Sequence, residues 1–197
     1  MLAHLPNALT IARILSVPVI IWCIWFGEIV AMHGYKVSSA DASLYRTAAV
    51  GVFVFAALTD LFDGWAARTF NAESKLGRIL DPIADKALVG LPLMTLFALT
   101  AMHGNTIDVL LLGCPVFIII GRDLAITLIR LRATDGEGVR VSTLAKYKTA
   151  LELIAVGLPL LLALPGIGFT APFYAIWMSC LWLAAGLSAY TGAAYLR

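Results

Sequence analysis

Charged residues are scarce in this chain, and their scarcity excludes an ordinary soluble protein. Of the 197 residues, 13% are charged and 61% are hydrophobic, whereas soluble domains average about 25% charged and about 45–50% apolar residues. The formal net charge of +2 is also too small for the basic surface that nucleic-acid binding needs. We therefore expect an integral membrane protein without a nucleic-acid partner.

Cysteine and histidine are also rare, which excludes two kinds of site. The three cysteines, Cys23, Cys114 and Cys180, are odd in number, far apart and within apolar runs. This pattern is typical of packed thiols and fits neither a disulfide framework nor a zinc site. The three histidines are scattered without metal-ligand spacing, so we expect none of them to take part in the chemistry.

Long apolar runs, by contrast, are abundant. A helix needs about 20 residues to cross the hydrocarbon core, and the runs predict an all-α integral membrane protein with six transmembrane helices, in a single domain over 1–197. The expected spans are 8–30, 46–69, 78–102, 107–131, 146–164 and 172–195. Segments 31–45 and 132–143 are expected to be loops. The N-terminus lacks the basic segment and cleavage site of a signal peptide, so we expect the first span to be retained.

The distribution of lysine and arginine predicts the orientation of these spans. Basic residues surround the connections between spans two and three and between spans four and five, and the connections after spans three and five have none. Because basic connections stay on the cytoplasmic side, we expect both termini in the cytoplasm of a multi-pass inner-membrane protein. Lys36 and Arg46, in the first outer loop, are the exceptions.

Four carboxylates stand out against this apolar background. Asp60 and Asp63 are three residues apart, and Asp81 and Asp85 are four apart, so each pair shares one face of a helix. Acids crowded at a membrane boundary repel one another unless a cation binds between them. We therefore predict a divalent metal site, and a solvated acidic loop is the alternative.

The spacing of this stretch resembles a family signature. The pattern D-x-x-D-G-x-x-A-R-x8-G-x3-D-x3-D is matched at every fixed position, and it is similar to the signature of the CDP-alcohol phosphotransferases. The matching residues are Asp60, Asp63, Gly64, Ala67, Arg68, Gly77, Asp81 and Asp85. The resemblance implies a six-helix membrane enzyme with a polar cavity that faces the cytoplasm.

The resemblance also implies roles for these residues. Asp60, Asp63 and Asp81 would be metal ligands, and Asp85 would be both a ligand and the catalytic base. Mg²⁺ or Mn²⁺, with two ions expected, suits such oxygen ligands. The implied CDP-binding residues are Gly64, Ala67, Arg68 and Gly77, joined by Asn7 and Thr10 of an N-x-x-T-x-x-R stripe that ends at Arg13. Helix capping or snorkelling is the alternative for that stripe.

A second group of cations predicts the acceptor. Arg122 and Asp123 lie too deep in span four for topology to explain Arg122, although a purely structural pair is the alternative. The segments AKYKTALE and SAYTGAAYLR look most like those of the phosphatidylglycerophosphate synthases within the family. That likeness implies CDP-diacylglycerol and glycerol 3-phosphate as substrates. The cations expected to bind the acceptor phosphate are Arg122, Lys146 and Lys148, with Arg130 and Arg132 less directly.

Three other interpretations remain open at this point. Cardiolipin synthases and phosphatidylinositol-phosphate synthases share the core signature, and a small cation transporter could use the four aspartates as its ion site. A transporter would need acids near the middle of the membrane and access from both sides, whereas these acids are expected at one face. Homodimers are common in the family, so we also expect a homodimer among membrane lipids.

Overall fold

The computed structural model describes residues 5–33, 39–70, 75–132, 143–168 and 170–195, with side chains described for 7–28, 41–59, 80–129, 147–168 and 170–193. These residues form six α-helices and no strand, which confirms the prediction of an all-helical chain. The helices are α1 (Leu5–His33), α2 (Ser39–Phe70), α3 (Lys75–His103), α4 (Thr106–Arg132), α5 (Thr143–Leu162) and α6 (Ala171–Tyr195).

Five of these helices are long and apolar enough to cross a membrane. The qualifying segments are Asn7–Glu28, Asp41–Thr59, Leu80–His103, Thr106–Ile129 and Ala171–Ala193. Large apolar side chains such as Trp22 and Leu183 are more than half exposed, as expected where a helix faces lipid. A membrane-spanning protein is thereby confirmed, and the sixth span, assigned to α5, stays a prediction.

The first predicted loop is wrong over much of its length. Segment 31–45 was expected to be irregular, but α1 continues to His33 and α2 already begins at Ser39. Ser39 is a residue that favours helix starts, and Asp41 places a negative charge in the first turn of α2, where the helix dipole stabilises it. Polar composition therefore marks a helix start here. Most of the second predicted loop lies outside the described residues.

The helices pack as two groups that meet around one core. α1 packs between α2 and α3, and α4 and α5 both pack on α6; α3 then contacts α4, and α2 and α3 contact α5. Ala56, Ala84, Ala155 and Ala184 are completely buried, because small side chains let helix backbones approach closely when lipid provides no hydrophobic drive. The consequence is close packing of the helices around one core.

The cysteines are free, as predicted. Cys23 is buried in the core, and Cys180 is partly buried. The expectation that all three thiols are packed is wrong for Cys114, which is exposed on α4. An apolar run cannot show which of its residues faces outward, because lipid and neighbouring helices are similarly apolar.

Candidate functional site

Polar side chains converge at one end of the bundle. Hydrogen bonds join the start of α1 to the start of α3, α3 to the end of α4, and the end of α4 to both the start of α5 and the end of α6. The same end includes the last turns of α2, because α2 is packed antiparallel to α1 along its length. The up-and-down order of the helices therefore brings distant segments of the sequence to one membrane face.

Two contacts connect α1 to the acid pair of α3. Thr10 Oγ1 donates a hydrogen bond to Asp81 Oδ1 at 2.6 Å, and Arg13 Nη1 lies 2.7 Å from Asp85 Oδ1. Thr10 and Arg13 are each 1% exposed, and Asn7 is half-buried one turn earlier. The Arg13 side chain thus points into the bundle, which contradicts snorkelling toward lipid head groups. Thr10 and Arg13 therefore support the carboxylates, and the CDP-binding role of Asn7 and Thr10 stays a prediction.

Asp81 and Asp85 share a face of α3, as their spacing predicts. Asp81 is partly exposed, and the Asp85 side chain remains 46% exposed although Arg13 contacts it. Accessible carboxylate oxygens are the donors that Mg²⁺ and Mn²⁺ prefer, so the two residues fit one side of a divalent-cation site.

The other half of the predicted site is placed only by its helices. Asp60, Asp63, Gly64, Ala67 and Arg68 lie on the last turns of α2, and Gly77 lies at the start of α3. Their side chains are outside the described residues, and so are those of Lys146, Arg130 and Arg132. Among the side chains that are described, no three metal-ligand residues come together. The four-aspartate metal site and the CDP site therefore stay predictions.

Asp123 is the centre of an ion-pair network that is largely buried, although the Lys86 side chain is 36% exposed. Its Oδ1 lies 2.8 Å from Arg122 Nη1 and 2.7 Å from Lys148 Nζ, and its Oδ2 lies 2.5 Å from Lys86 Nζ. Lys148 also pairs with Glu152 at 2.7 Å, and both of these side chains are 4% exposed. Charges at such depth are stable only when they are paired and hydrogen-bonded. The network holds α3, α4 and α5 together at this end.

The network agrees with the alternative for Arg122 and Asp123, because the two residues do form a structural pair. Three cations nevertheless face two carboxylates, so the cluster keeps one net positive charge when all five groups are ionised. A structural pair and an anion site are therefore compatible here. An arriving phosphate would find cations that are already oriented.

Sequence reasoning missed three members of this region. Lys86, Glu152 and Thr191 all contact the predicted acceptor cations or their partner Asp123. A lysine within an apolar span, as Lys86 is, was the available signal, because an ionisable residue at that position needs a partner. Lys86 directly follows Asp85, but it is not one of the fixed positions of the acid motif.

Neither of two cavities lined by described residues is the polar cavity expected at the cytoplasmic face. A groove of 330 Å³ between α3 and α4 is mostly apolar and has Lys86 and Asp123 at one end. A cavity of 740 Å³ lies at the opposite end of the bundle, where Arg46, His103 and Trp177 line it. The predicted polar cavity would be bounded by the last turns of α2, whose side chains are not described.

Comparison with known proteins adds a family to this geometry. The sequence model of the CDP-alcohol phosphatidyltransferase family matches residues 3–189. A Rickettsia typhi protein named CDP-diacylglycerol–glycerol-3-phosphate 3-phosphatidyltransferase is 34% identical over 194 residues, which cover 98% of this chain and 96% of the relative. A Pseudomonas fluorescens protein of the same name is 32% identical, and the match covers 98% of this chain and 89% of that relative. An Arabidopsis thaliana protein of this name, with the number 2 added, is 31% identical, and the match covers 98% of this chain and 78% of that relative.

Proposed function

This chain belongs to the CDP-alcohol phosphatidyltransferase family, and from that premise we propose that it transfers the phosphatidyl group of CDP-diacylglycerol to glycerol 3-phosphate. The observation that carries the proposal is the position of two chemically different clusters at one end of the bundle. The carboxylates of Asp81 and Asp85 and the cations around Asp123 meet on α3, where Asp85 and Lys86 are adjacent. Relatives that match over nearly the whole chain carry the name of this activity.

The reaction is a substitution at phosphorus. A hydroxyl oxygen of glycerol 3-phosphate attacks the phosphorus that bears the diacylglycerol, and the bond from that phosphorus to the oxygen of CMP breaks. The hydroxyl proton passes to the carboxylate of Asp85, and CMP leaves. A general base placed in this way contributes about 10²–10⁴-fold to a rate. The products are phosphatidylglycerophosphate and CMP.

Divalent cations would complete the donor side of the site. Asp60, Asp63, Asp81 and Asp85 would hold one or two Mg²⁺ or Mn²⁺ ions, which neutralise charge on the pyrophosphate. The nucleotide would lie against the start of α1 and the last turns of α2, on the residues that the family signature implies: Gly64, Ala67, Arg68, Gly77, Asn7 and Thr10. Arg13 orients Asp85 through the ion pair that the two side chains already form.

The acceptor side of the site requires positive charge. Glycerol 3-phosphate carries a dianionic phosphate, which charge-assisted hydrogen bonds from arginine and lysine recognise far better than neutral donors do. Arg122 and Lys148 supply such donors next to Lys86. Lys146, Arg130 and Arg132 lie on the neighbouring helix ends and would extend this pocket.

The membrane setting follows from the same assignment. We propose six spans in the inner membrane, both termini in the cytoplasm and the site at the cytoplasmic face, where the basic residues favour that orientation. We also propose a homodimer, on family analogy alone.

Direct product analysis tests this function. Purified protein is given CDP-diacylglycerol and Mg²⁺ with glycerol 3-phosphate, phosphatidylglycerol or inositol phosphate, and products are identified by mass spectrometry. We expect phosphatidylglycerophosphate and CMP in equal amounts when glycerol 3-phosphate is the acceptor, and no lipid product with the other two acceptors. Cardiolipin from phosphatidylglycerol would replace this function with that of a cardiolipin synthase. Mg²⁺ uptake into proteoliposomes without any lipid product would favour a transporter.

A further inference from the structure

A hydroxyl at the end of α6 and the carboxylate of Asp123 together clamp Arg122, each through a different guanidinium nitrogen. Arg122 Nη2 donates a hydrogen bond to Thr191 Oγ1 at 3.0 Å, and Nη1 donates to Asp123 Oδ1 at 2.8 Å. The guanidinium is therefore held between a carboxylate of its own helix and a hydroxyl of another. Thr191 and Gly192 both belong to the segment SAYTGAAYLR, which the reaction described above does not use.

Gly192 supplies the space that this clamp needs. A Cβ added at Gly192 would lie 2.8 Å from Cγ and 3.6 Å from Nε of Arg122, and real Cβ atoms essentially never approach another atom within 3.0 Å. The aliphatic stem of Arg122 thus packs directly on the backbone of α6. Any side chain at position 192 would push the guanidinium away from its present position.

The orientation of the Arg122 guanidinium determines how well it can bind a phosphate. A guanidinium is a planar fork whose N–H groups bind phosphate in a fixed geometry. Nη1 and Nη2 each carry two hydrogens and use one in the contacts above, and 17% of the side chain remains exposed. The clamp leaves the guanidinium oriented before any anion arrives, so little rotamer freedom is lost on binding.

We propose that Thr191 and Gly192 are positioning residues that set the affinity for the acceptor phosphate through Arg122. This inference rests on the proposed function and adds to it a role for α6, which carries none of the family signature. Neither residue touches the reacting atoms. Both act by fixing where the Arg122 guanidinium lies. A change at either residue should therefore alter the recognition of glycerol 3-phosphate and leave the recognition of CDP-diacylglycerol unchanged.

Matched pairs of variants on α6 test this role. Gly192→Ala inserts the methyl group against Arg122, whereas Gly186→Ala, on the same helix, places it where no described heavy atom lies within 4 Å. Thr191→Val removes the hydroxyl at constant shape and Thr191→Ser keeps it. Ser188→Ala removes a buried hydroxyl that has no hydrogen-bond partner among the described residues, and it serves as the control for losing a hydroxyl.

The measurement is the KM for each substrate and kcat, in detergent at fixed Mg²⁺. We expect Gly192→Ala and Thr191→Val to raise the KM for glycerol 3-phosphate about tenfold, the size of one charge-assisted contact. The KM for CDP-diacylglycerol should not change, and Gly186→Ala, Thr191→Ser and Ser188→Ala should resemble the wild type. That unchanged donor KM also shows that the variants are folded.

Each contrary result overturns the inference in a recognisable way. If both KM values rise together, or if Gly192→Ala behaves as Gly186→Ala does, the clamp has no role in acceptor recognition while the proposed function stands. If the wild-type protein does not consume glycerol 3-phosphate, the proposed function fails first and the inference falls with it.

Discussion

Arg13 on α1 and Asp85 on α3 form an ion pair of 2.7 Å in which the arginine side chain is completely buried and the carboxylate is 46% exposed. This difference in exposure suits a buried arginine that supports and an accessible carboxylate that can contact substrates. A buried guanidinium requires a counter-charge, so α1 stays docked on α3 at this point. The exposed side of Asp85 remains accessible to substrates.

Replacement of Arg13 should weaken both the fold and the reaction. We expect Arg13→Gln to lower kcat at least about tenfold, and Arg13→Lys, which keeps the charge but not the fork, to lose less. Loss of the pair should cost about 1–3 kcal/mol of stability, since Asp85 can still be solvated. Initial rates and thermal unfolding in detergent measure the two effects. Arg46→Gln breaks a 3.2 Å pair with Glu28 at the other end of the bundle and should keep full activity. Equal behaviour of the two variants would contradict a supporting role for Arg13.

Asp85→Asn should abolish turnover while the protein still binds CDP-diacylglycerol. The substitution keeps the volume but removes the proposed base and one proposed metal ligand, so we expect a rate loss of about 10²–10⁴-fold or more. Release of CMP reports turnover, and binding of labelled CDP-diacylglycerol reports the donor site. Asp108→Asn, in the first turn of α4 at the opposite end, is the control and should be unaffected. Treatment with EDTA should stop the wild-type enzyme, and activity that survives it would exclude a divalent-metal mechanism.

The acceptor cations should show a split between the two substrates. Arg122→Ala should raise the KM for glycerol 3-phosphate about 10- to 150-fold, the range expected for one or more charge-assisted bonds, with little change for CDP-diacylglycerol. Saturation curves on the purified variant measure the split. Equal changes for both substrates would mean that Arg122 is only structural.

Lys148 needs a compensated variant because it is buried between two carboxylates. Lys148→Met leaves Asp123 and Glu152 without one of their cations and should lower stability by about 3–5 kcal/mol. Adding Glu152→Gln should recover part of that stability but not the KM for glycerol 3-phosphate. Recovery of the KM together with the stability would show that Lys148 acts through the fold alone.

Topology can be tested with single cysteines in a variant that lacks Cys23, Cys114 and Cys180. In intact cells, Glu137→Cys should be protected from a membrane-impermeant thiol reagent, and His103→Cys should react, because it is exposed just before the turn between α3 and α4. The reverse labelling pattern would place the site outside the cytoplasm.

The sequence by itself determined that a helix lies in each of the six apolar regions of this protein, although not where the first loop begins and ends. A chain in lipid must satisfy its backbone hydrogen bonds internally, so long apolar runs can only be helices, and all six predicted helices are present. The i,i+4 spacing likewise placed Asp81 and Asp85 on one face before any packing was known. These properties are local, and local sequence is sufficient to specify them.

Only the tertiary structure decided which side chains became partners. Lys86 follows Asp85 directly, yet it points about 100° away around the helix and pairs with Asp123 on α4. The sequence was equally compatible with an Arg122 that has no protein partner, but its guanidinium is held by Asp123 and Thr191. Such choices depend on the rotation of each helix against its neighbours, and in an apolar chain the hydrophobic pattern does not encode that rotation because lipid and protein interior are equally apolar.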